Sequence, residues 1–440
     1  MRASRVVVLL LSTSVIPLHA QQADSAPPPL ATAVAFRPGT LVPRVASSLN
    51  RVQQYAVYLP SAYRADRQWP VLLLLDPRGR ALLPMRLFQA SAERYGFVVL
   101  SSWNTLSDWD NQPNVDAMSA MLTDVQRLFS VDRSRIYLAG FSGTARFAWD
   151  VALGLRANVA GILGFGAGVP PGFNFTPPGA GTPLAVDFFG GAGTSDFNYE
   201  ELLSLDEELA RLGVAHRVRM YDGPHSWAPE PVVAEGVQWM QLRAMGRGLA
   251  AVDTGWVDSL FAARVELAGT RLAGGDSLGA LREYRAIAAD FTGMHEVAVP
   301  AARADTLARS RAVKAALKDQ AEMIARNHDY LRKLLAYLQR FRTASKPPSV
   351  ESGLKALDIA RLKRVEEDRS DTVAALAAGR LLSHVRAATG FYEPQDYLAK
   401  GDSARALAML ELNQAVNPNP GRPASVAFRE LVDEFKRRTP

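Results

Sequence analysis

The chain has 440 residues and contains no cysteine. This absence excludes disulfide bonds, a cysteine nucleophile, thiolate metal ligands and an N-terminal cysteine that could carry a lipid anchor. Long apolar runs are also missing after residue 20, so no segment there reaches the roughly 20 apolar residues that a membrane-spanning helix needs. With 48% hydrophobic and 21% charged residues, the composition is that of a globular protein with two or three domains.

Lysine is absent from residues 1–250, which hold 21 arginines against 20 acidic residues. Residues 251–440 hold all eight lysines, and their 29 basic residues stand against 24 acidic ones. The formal net charge of +6 therefore lies mostly in the second part, and the composition divides the chain in two. Basic and acidic residues are interleaved throughout, which argues against a nucleic-acid partner.

The first 20 residues have the pattern of a secretory signal peptide. A basic start at residues 1–5 precedes an apolar run at 6–18, and Ala20 offers a cleavage site. The sequence thus predicts export to the periplasm or the extracellular space, with no transmembrane segment after cleavage. The alternative is an uncleaved membrane anchor, which the short apolar run disfavours. Residues 21–41, with three consecutive prolines, are expected to form an extended leader.

Strand-like and helix-like segments alternate from residue 42 to residue 248. Short apolar or alternating runs predict strands at 52–59, 70–75, 97–101, 136–139, 159–165, 184–189 and 217–221. Helical spacing is found at 114–129, 143–153, 199–212 and 231–245. This alternation predicts an α/β domain whose mostly parallel sheet is covered by helices on both faces.

Residues 252–440 lose the strand signal and show helical periodicity. One stretch recurs, because residues 272–281 match residues 398–407 at seven of ten positions, with a Gly-Asp turn in each. The turn resembles that of tetratricopeptide repeats, which implies an all-α domain of helical hairpins able to hold a protein partner. The alternative is an irregular helical bundle, since the copies lie 126 residues apart, which is no multiple of the ~34-residue period.

Residues 303–346 carry 11 basic and four acidic residues on one long helical pattern. A basic amphipathic helix can lie on a membrane or bind a partner. We favour the simpler interpretation, a solvated face on a helix that packs within its own domain.

A candidate nucleophile follows the predicted strand at 136–139. Gly140-Phe141-Ser142-Gly143 comes directly after this strand, and helical spacing begins at once. A sharp strand-to-helix turn lifts a serine hydroxyl out of the backbone and places it beside the free N–H groups of the helix N-terminus. Thr144 stands where the usual pattern has glycine. The alternative is a glycine turn with an incidental serine.

Such a serine needs a base to take its proton. Of the six histidines, His19 lies in the predicted signal peptide and three others lie in the helical part. His216 precedes the strand at 217–221 and is expected to be structural. His225 follows that strand, at the edge where a parallel sheet holds its ligands, and is the predicted base.

The base in turn needs a carboxylate, located between Ser142 and His225 in a loop after a strand. Asp196, after the strand at 184–189, meets this condition and is the predicted acid. Asp187 inside the strand is its competitor, and Asp206 is expected on the surface of the next helix.

Two backbone N–H groups are expected to stabilise an oxyanion. One belongs to Gly143, directly after the nucleophile. The other is assigned to the loop after the strand at 70–75, where Pro77 has no N–H and Arg78 is therefore the chosen donor, with Gly79 next.

The glycine-x-serine turn, the acid loop at Asp196 and the segment Asp222-Gly223-Pro224-His225-Ser226-Trp227 resemble the α/β-hydrolase superfamily. The resemblance is closest to secreted bacterial esterases related to poly-hydroxybutyrate depolymerases, feruloyl esterases and dienelactone hydrolases, and it covers residues 42–248. Those proteins often have a His-Gly pair where this chain has Asp76-Pro77.

The resemblance implies a serine hydrolase that cleaves small or polymeric carboxylic esters through an acyl-enzyme, without a cofactor. A serine peptidase on the same fold is one alternative. A non-catalytic binding or scaffold protein that acts through its helical repeats is the other.

Three tryptophans are candidates for substrate binding. Trp103 and Trp109 lie in the loop after the strand at 97–101, and Trp227 lies beside the predicted base. The alternative for the first two is an aromatic plug that closes the core. Asp108 and Asp110 lack a third ligand, so no metal site is predicted.

Access to the site and the independence of the first domain are two further expectations. The connection at 165–183 is too short for a helical lid, so the site is expected to be open unless the second domain covers it. No predicted catalytic residue lies beyond His225. A chain that ends near Gly248 is therefore expected to fold and to keep its activity on small esters.

Overall fold

The structure is a computed structural model, and it describes residues 36–107, 111–155, 159–176, 181, 184–368, 370–419 and 421–438. The predicted signal peptide, most of the predicted leader, Asp108, Trp109 and Asp110 lie outside these residues.

The first region is built on one sheet of eight strands. The strands are β1 (Leu41–Ala46), β2 (Gln54–Tyr58), β3 (Trp69–Leu75), β4 (Val98–Ser102), β5 (Val131–Phe141), β6 (Gly161–Phe165), β7 (Asp187–Gly193) and β8 (His216–Tyr221). They lie in the order β1-β2-β4-β3-β5-β6-β7-β8. β2 is antiparallel to both of its neighbours, and every later pair is parallel, which confirms the predicted sheet.

Helices cover both faces of this sheet. They are α1 (Leu82–Tyr95), α2 (Gln112–Leu128), α3 (Gly143–Leu155), α4 (Tyr199–Leu212) and α5 (Glu230–Gly246). Side chains of a strand alternate between faces, so Leu73 and Leu75 of β3 pack with α2, α3 and α4, whereas Leu72 and Leu74 pack with α1 and α5. A strand buried on both faces reads as a continuous apolar run, which is why β3 is recognisable in the sequence.

The second region contains only helices among its described residues. They are α6 (Thr254–Ala273), α7 (Ser277–Asp290), α8 (Ala298–Arg309), α9 (Arg311–Thr343), α10 (Val350–Ala356), α11 (Ile359–Glu367), α12 (Thr372–Ala387), α13 (Glu393–Ala399), α14 (Ser403–Val416) and α15 (Ala424–Arg438), with a π-helical turn at Ala388–Tyr392 between α12 and α13. The predicted all-α character is confirmed. In the part of the chain that the structure describes, no helix combines the length and apolarity of a membrane span.

The recurring Gly-Asp stretch forms the same local structure in both copies. Gly275 and Gly401 end a helix with positive φ, and Asp276 and Asp402 then cap α7 and α14 by accepting a backbone N–H. The paired helices pack on each other in both cases. The likeness to tetratricopeptide repeats stays a prediction.

The basic segment at 303–346 is two helices and not one. Ser310 leaves the helical conformation and caps α9 through the N–H of Val313. One face of α9 is buried against α4, α7, α8 and α12, and its charged face is exposed. The favoured interpretation places this helix within its own domain, but α9 also packs on α4 of the first region.

The two regions share apolar and charged contacts. Leu242 and Met245 of α5 belong to the same hydrophobic cluster as Tyr284 and Ile287 of α7. Arg217 of β8, which is 6% exposed, bonds Glu283 of α7 at 3.0 Å. Part of the surface of the first region is therefore buried only because the second region covers it.

Candidate active site

Ser142 stands at a sharp turn between β5 and α3. Its φ of +55° lies in the left-handed region, which costs a non-glycine residue about 1–3 kcal/mol and is characteristic of functional turns. The Ser142 N–H donates to the carbonyl of Phe165 on β6 at 2.8 Å, and the Ser142 carbonyl accepts the N–H of Ala145 at 2.9 Å. A Cβ at Gly140 would lie 2.5 Å from the carbonyl oxygen of Thr144, so the turn requires glycine there.

Thr144, where the usual pattern has glycine, is fully buried and ties this turn to the sheet. Its hydroxyl lies 2.5 Å from the carbonyl oxygen of Leu75 at the end of β3 and 2.8 Å from that of Phe141. The same oxygen accepts the N–H of Phe141 at 3.2 Å. The hydroxyl donates to one carbonyl at a time and satisfies backbone groups that have no access to water. The threonine thus stabilises the turn and leaves its geometry intact.

The structure brings the predicted nucleophile, base and acid together at the carboxyl edge of the sheet. His225 Nε2 lies 3.0 Å from Ser142 Oγ, and His225 Nδ1 lies 2.8 Å from Asp196 Oδ1. Asp196 Oδ1 also accepts the N–H of Asn198 at 2.8 Å. When Nδ1 carries the ring proton and makes a hydrogen bond to Asp196, Nε2 has a free lone pair. It can then accept a hydrogen bond from the serine hydroxyl, as proton transfer from the serine requires.

All three side chains are buried, since Ser142, Asp196 and His225 are 1%, 0% and 2% exposed. The expectation that the site is open unless the second domain covers it concerns substrate access and stays a prediction. The imidazole lies between two aromatic rings, with centroid distances of 4.7 Å to Phe141 and 4.3 Å to Phe197. Low exposure strengthens the electrostatic interactions within the cluster, because little water screens them.

The acid loop and the base loop are joined through their backbones. The N–H of Thr194 donates to the carbonyl of Tyr221 at 2.8 Å, and that of Ser195 donates to the carbonyl of Gly223 at 2.9 Å. A Cβ at Gly193 would lie 2.1 Å from the Gly223 carbonyl oxygen, so glycine permits this close approach. Asp196 and His225 are thus held in one rigid unit.

The competing candidates lie elsewhere. Asp187 is the first residue of β7, at the opposite end of the sheet, where its carboxylate bonds Arg243 and Arg247 at 3.1 Å each. His216 pairs with Asp206 at 3.3 Å. The structure places Asp196, and not Asp187, beside the base.

The two predicted oxyanion donors differ in their surroundings. Gly143 is the first residue of α3, so its N–H is one of those that have no acceptor inside the helix. The N–H of Arg78 donates to Asp76 Oδ1 at 2.9 Å, and that of Gly79 donates to the Asp76 carbonyl at 3.1 Å. Both N–H groups thus donate to Asp76 in this structure, and the assignment of Arg78 as an oxyanion donor stays a prediction.

Asp76 explains the departure from a His-Gly pair at this loop. Its buried carboxylate accepts from Arg80 Nε at 3.0 Å and from the indole N–H of Trp227 at 2.8 Å. Trp227 is 7% exposed, and its ring packs against Phe88 and Phe141. This indole thus links the base loop to the loop after β3, and its role in substrate binding stays a prediction.

Of the other two tryptophans, the structure describes Trp103 and does not describe Trp109. The indole N–H of Trp103 donates to the carbonyl of Pro43 on β1 at 3.0 Å, and its ring lies under Arg44. This contact holds the loop after β4 against the edge of the sheet. Trp109 lies outside the described residues, so its predicted role stays a prediction.

Helix α12 of the second region reaches the acid loop, a contact that the sequence does not predict. Arg380 Nη1 donates to the carbonyl of Thr194 at 2.8 Å, and Arg380 Nε donates to Glu200 Oε1 at 2.8 Å. One turn later on the same helix, the ring of His384 meets Phe197 at 5.5 Å. The four-residue spacing places both side chains on one face of α12, but no sequence pattern connects that face to a loop about 180 residues earlier.

A cavity between the two regions lies apart from Ser142. It has a volume of about 1530 Å³ and is lined by β8, α4, α7, α9 and α12. Neither Ser142 nor His225 lines it, whereas Glu200 does.

The sheet order, the strand-to-helix turn at Ser142 and the placement of Asp196 and His225 after β7 and β8 define the class of the first region. It has the α/β-hydrolase fold.

Comparisons with solved structures give likenesses to proteins of the same fold. The fluorophosphonate-binding serine hydrolase F of Staphylococcus aureus is 17% identical, with 46% of this chain and 99% of that chain covered and a TM-score of 0.39. The S-formylglutathione hydrolase of the same organism is 16% identical, with 48% and 100% covered and a TM-score of 0.37. A ferulic acid esterase of Anaeromyces mucronatus is 14% identical, with 48% and 92% covered and a TM-score of 0.35.

No family model matches the chain, and no curated protein does. Likenesses this distant carry no residue roles and no substrate over to this chain.

Proposed function

We propose that this protein is a serine hydrolase that cleaves carboxylic esters. The observation that carries the proposal is the 3.0 Å approach of His225 Nε2 to Ser142 Oγ, at a strained turn that opens a helix. A serine hydroxyl becomes nucleophilic when a neighbouring base takes its proton.

In the first half of the reaction, Ser142 Oγ attacks the acyl carbon and its proton passes to His225 Nε2. The tetrahedral intermediate carries a negative oxygen, for which the N–H of Gly143 is the available donor. Asp196 accepts a hydrogen bond from Nδ1–H of His225 and stabilises the imidazolium. His225 then protonates the departing alcohol, and an acyl-enzyme remains.

In the second half, water takes the place of the alcohol. His225 removes a proton from the water, which attacks the acyl carbon, and the imidazolium returns that proton to Ser142 Oγ as the carboxylic acid leaves. All groups end in their starting state, so the cycle needs no cofactor.

A fluorophosphonate probe tests the proposal, because it reacts with an activated serine whatever the natural substrate. We expect the wild-type protein to be labelled on Ser142 and to hydrolyse p-nitrophenyl acetate and butyrate. Ser142→Ala should lose both reactions. Ser134→Ala, an exposed serine near the other end of the same strand, is the matched control and should retain both.

Two outcomes would overturn the proposal. Equal ester turnover by wild type and Ser142→Ala would remove the serine from the reaction. Faster cleavage of the corresponding p-nitroanilide than of the ester would make the protein a peptidase and not an esterase.

A further inference from the structure

One side chain of the second region makes hydrogen bonds to both ends of the loop that carries Asp196. Arg380 of α12 donates to the carbonyl of Thr194, two residues before Asp196, and to the carboxylate of Glu200, four residues after it, each at 2.8 Å. Its guanidinium also lies 4.4 Å from the ring centre of Tyr199. A planar guanidinium donates in fixed directions, so it fixes these two groups relative to each other.

This contact lies in the interior. The side chains of Arg380 and Glu200 are each 3% exposed. A second carboxylate oxygen of Glu200 accepts the amide of Asn327 on α9 at 3.3 Å, so two helices of the second region engage the same residue. A buried charge is tolerated only when its partners are in place, and loss of Arg380 would leave Glu200 without its cation.

The acid itself has few other constraints on its orientation. Asp196 Oδ1 accepts from His225 and Asn198, but within the described part of the chain Asp196 Oδ2 is buried without a hydrogen-bond partner. The direction of the carboxylate therefore depends on the backbone of its loop. That backbone is fixed on one side by the base loop and on the other by Arg380.

A second contact follows the same path. The ring of Phe197 lies between His225, at 4.3 Å, and His384 of α12, at 5.5 Å. A shift of α12 would thus disturb both the acid and the base.

We propose that Arg380 is a positioning residue for Asp196 and His225, so that the docked second region is a working part of the active site. This inference rests on the proposed function. Arg380 does not touch the substrate. It holds the acid loop at the distance from His225 at which the imidazolium is stabilised, and misplacement by about 1 Å can cost on the order of 100-fold in rate.

The test measures kcat and KM for p-nitrophenyl butyrate, together with the rate of fluorophosphonate labelling, on the full-length protein. We expect Arg380→Met to lower kcat and the labelling rate by about 10- to 100-fold while KM changes little. Arg380→Lys keeps the charge but cannot reach both groups, so its kcat should lie between those of wild type and Arg380→Met.

Arg264→Met is the matched control. Arg264 is also a buried arginine, bonded to Glu283 at 2.7 Å and to Asp290 at 2.6 Å, the same carboxylates that pair with Arg217 of β8, and neither bond reaches the acid loop. We expect it to lower the melting temperature as Arg380→Met does and to keep the wild-type kcat.

The outcomes separate the inference from the function on which it rests. A wild-type protein that is never labelled on Ser142 contradicts the proposed function. Labelled wild type together with folded Arg380→Met at the wild-type kcat overturns only the positioning role, and so does an equal loss of kcat in Arg264→Met. If Arg380→Met does not fold, Arg380→Lys decides, and an unchanged kcat in that variant overturns the role.

Discussion

The candidate site is built from buried charges of one region of this protein, and buried charges of the other region contact that region from outside the site. In the α/β region, Asp76, Asp196 and His225 bond to groups of the same region and build the candidate site. In the helical region, Arg380 and Glu283 bond across to the other region. The first region thus contains the proposed chemistry, and the second contributes part of its support.

Two regions that differ in composition can therefore form one functional unit. Composition separates the chain near residue 250, since all eight lysines lie beyond it. The packing does not separate there, because α5 of the first region shares a hydrophobic cluster with α6, α7 and α8. Mutations can remove the contacts within the first region and the contacts between the two regions separately.

The largest effect is expected within the α/β region, from Asp196→Asn. The amide cannot stabilise the imidazolium and favours the wrong ring tautomer, so kcat should fall by about 10⁴-fold, as in the best-studied serine triad, while the fold is kept. Ester kinetics and a thermal melt measure the two parts of this prediction.

Asp187→Asn is the control for that variant, since Asp187 is the other buried aspartate of the same strand and loop. It bonds Arg243 and Arg247, which are partly exposed, so we expect a loss of about 1–3 kcal/mol in the free energy of unfolding and an unchanged kcat. A large loss of kcat in Asp187→Asn with wild-type turnover in Asp196→Asn would show that the wrong carboxylate is assigned.

The next effect concerns the boundary between the regions. The sequence predicts that a chain ending at Gly248 folds and stays active, but the structure leads us to expect the opposite. Truncation would expose Leu242, which is wholly buried, and would remove Glu283 from Arg217 and Arg380 from Glu200. We expect the fragment to lose its cooperative melt and its labelling at Ser142.

Removal of α15 alone is the matched truncation, because this last helix packs on α13 and α14 and away from the first region. It should retain both the melt and the labelling. A Gly248 fragment that melts at the wild-type temperature and is labelled at the wild-type rate would show that the α/β region is independent after all.

The sequence revealed those parts of the site that depend on local structure. Ser142, Asp196 and His225 each follow a strand that an apolar run marks, and carboxyl ends of parallel strands meet at one edge. β1 and α1 were not predicted, since Pro43 and Arg44 in one and Pro84 in the other interrupt their patterns.

The remaining parts depend on contacts that are distant in the chain or on the direction of a single bond. The amide of Arg78 is occupied by a side chain two residues earlier, and no spacing rule gives the direction of that carboxylate. The indole of Trp227 is buried with a hydrogen bond to Asp76, which lies 151 positions away in the chain. Arg380 and Glu200 are 180 positions apart. Contacts over such distances leave no periodic signal in the sequence.

The smallest expected effect is a pH dependence of the free energy of unfolding that comes from His384. It tests whether water reaches the contact between the two regions. Burial, with smaller contributions from Arg380 and His225, lowers the pKa of this imidazole from its ordinary value of 6.5 to about 4, although Glu201 and a backbone hydrogen bond with Phe197 oppose the shift. Between pH 6.5 and pH 4 the unfolded chain therefore binds a proton that the folded protein does not. The free energy of unfolding should fall across this window as the pH falls, by about 3 kcal/mol in total.

His384→Gln removes this titration and keeps a neutral polar side chain, so the wild type should lose more stability than the variant between pH 6.5 and pH 4. Denaturant unfolding at several pH values measures the difference, in which the carboxylates common to both proteins cancel. His216→Gln is a control of opposite sign. Burial alone would lower the pKa of His216, but its hydrogen bond to Asp206 raises it, so the wild type should gain stability over that variant as the pH falls. Parallel pH curves for wild type and His384→Gln would mean that water reaches His384 and that the contact between the regions is not sealed.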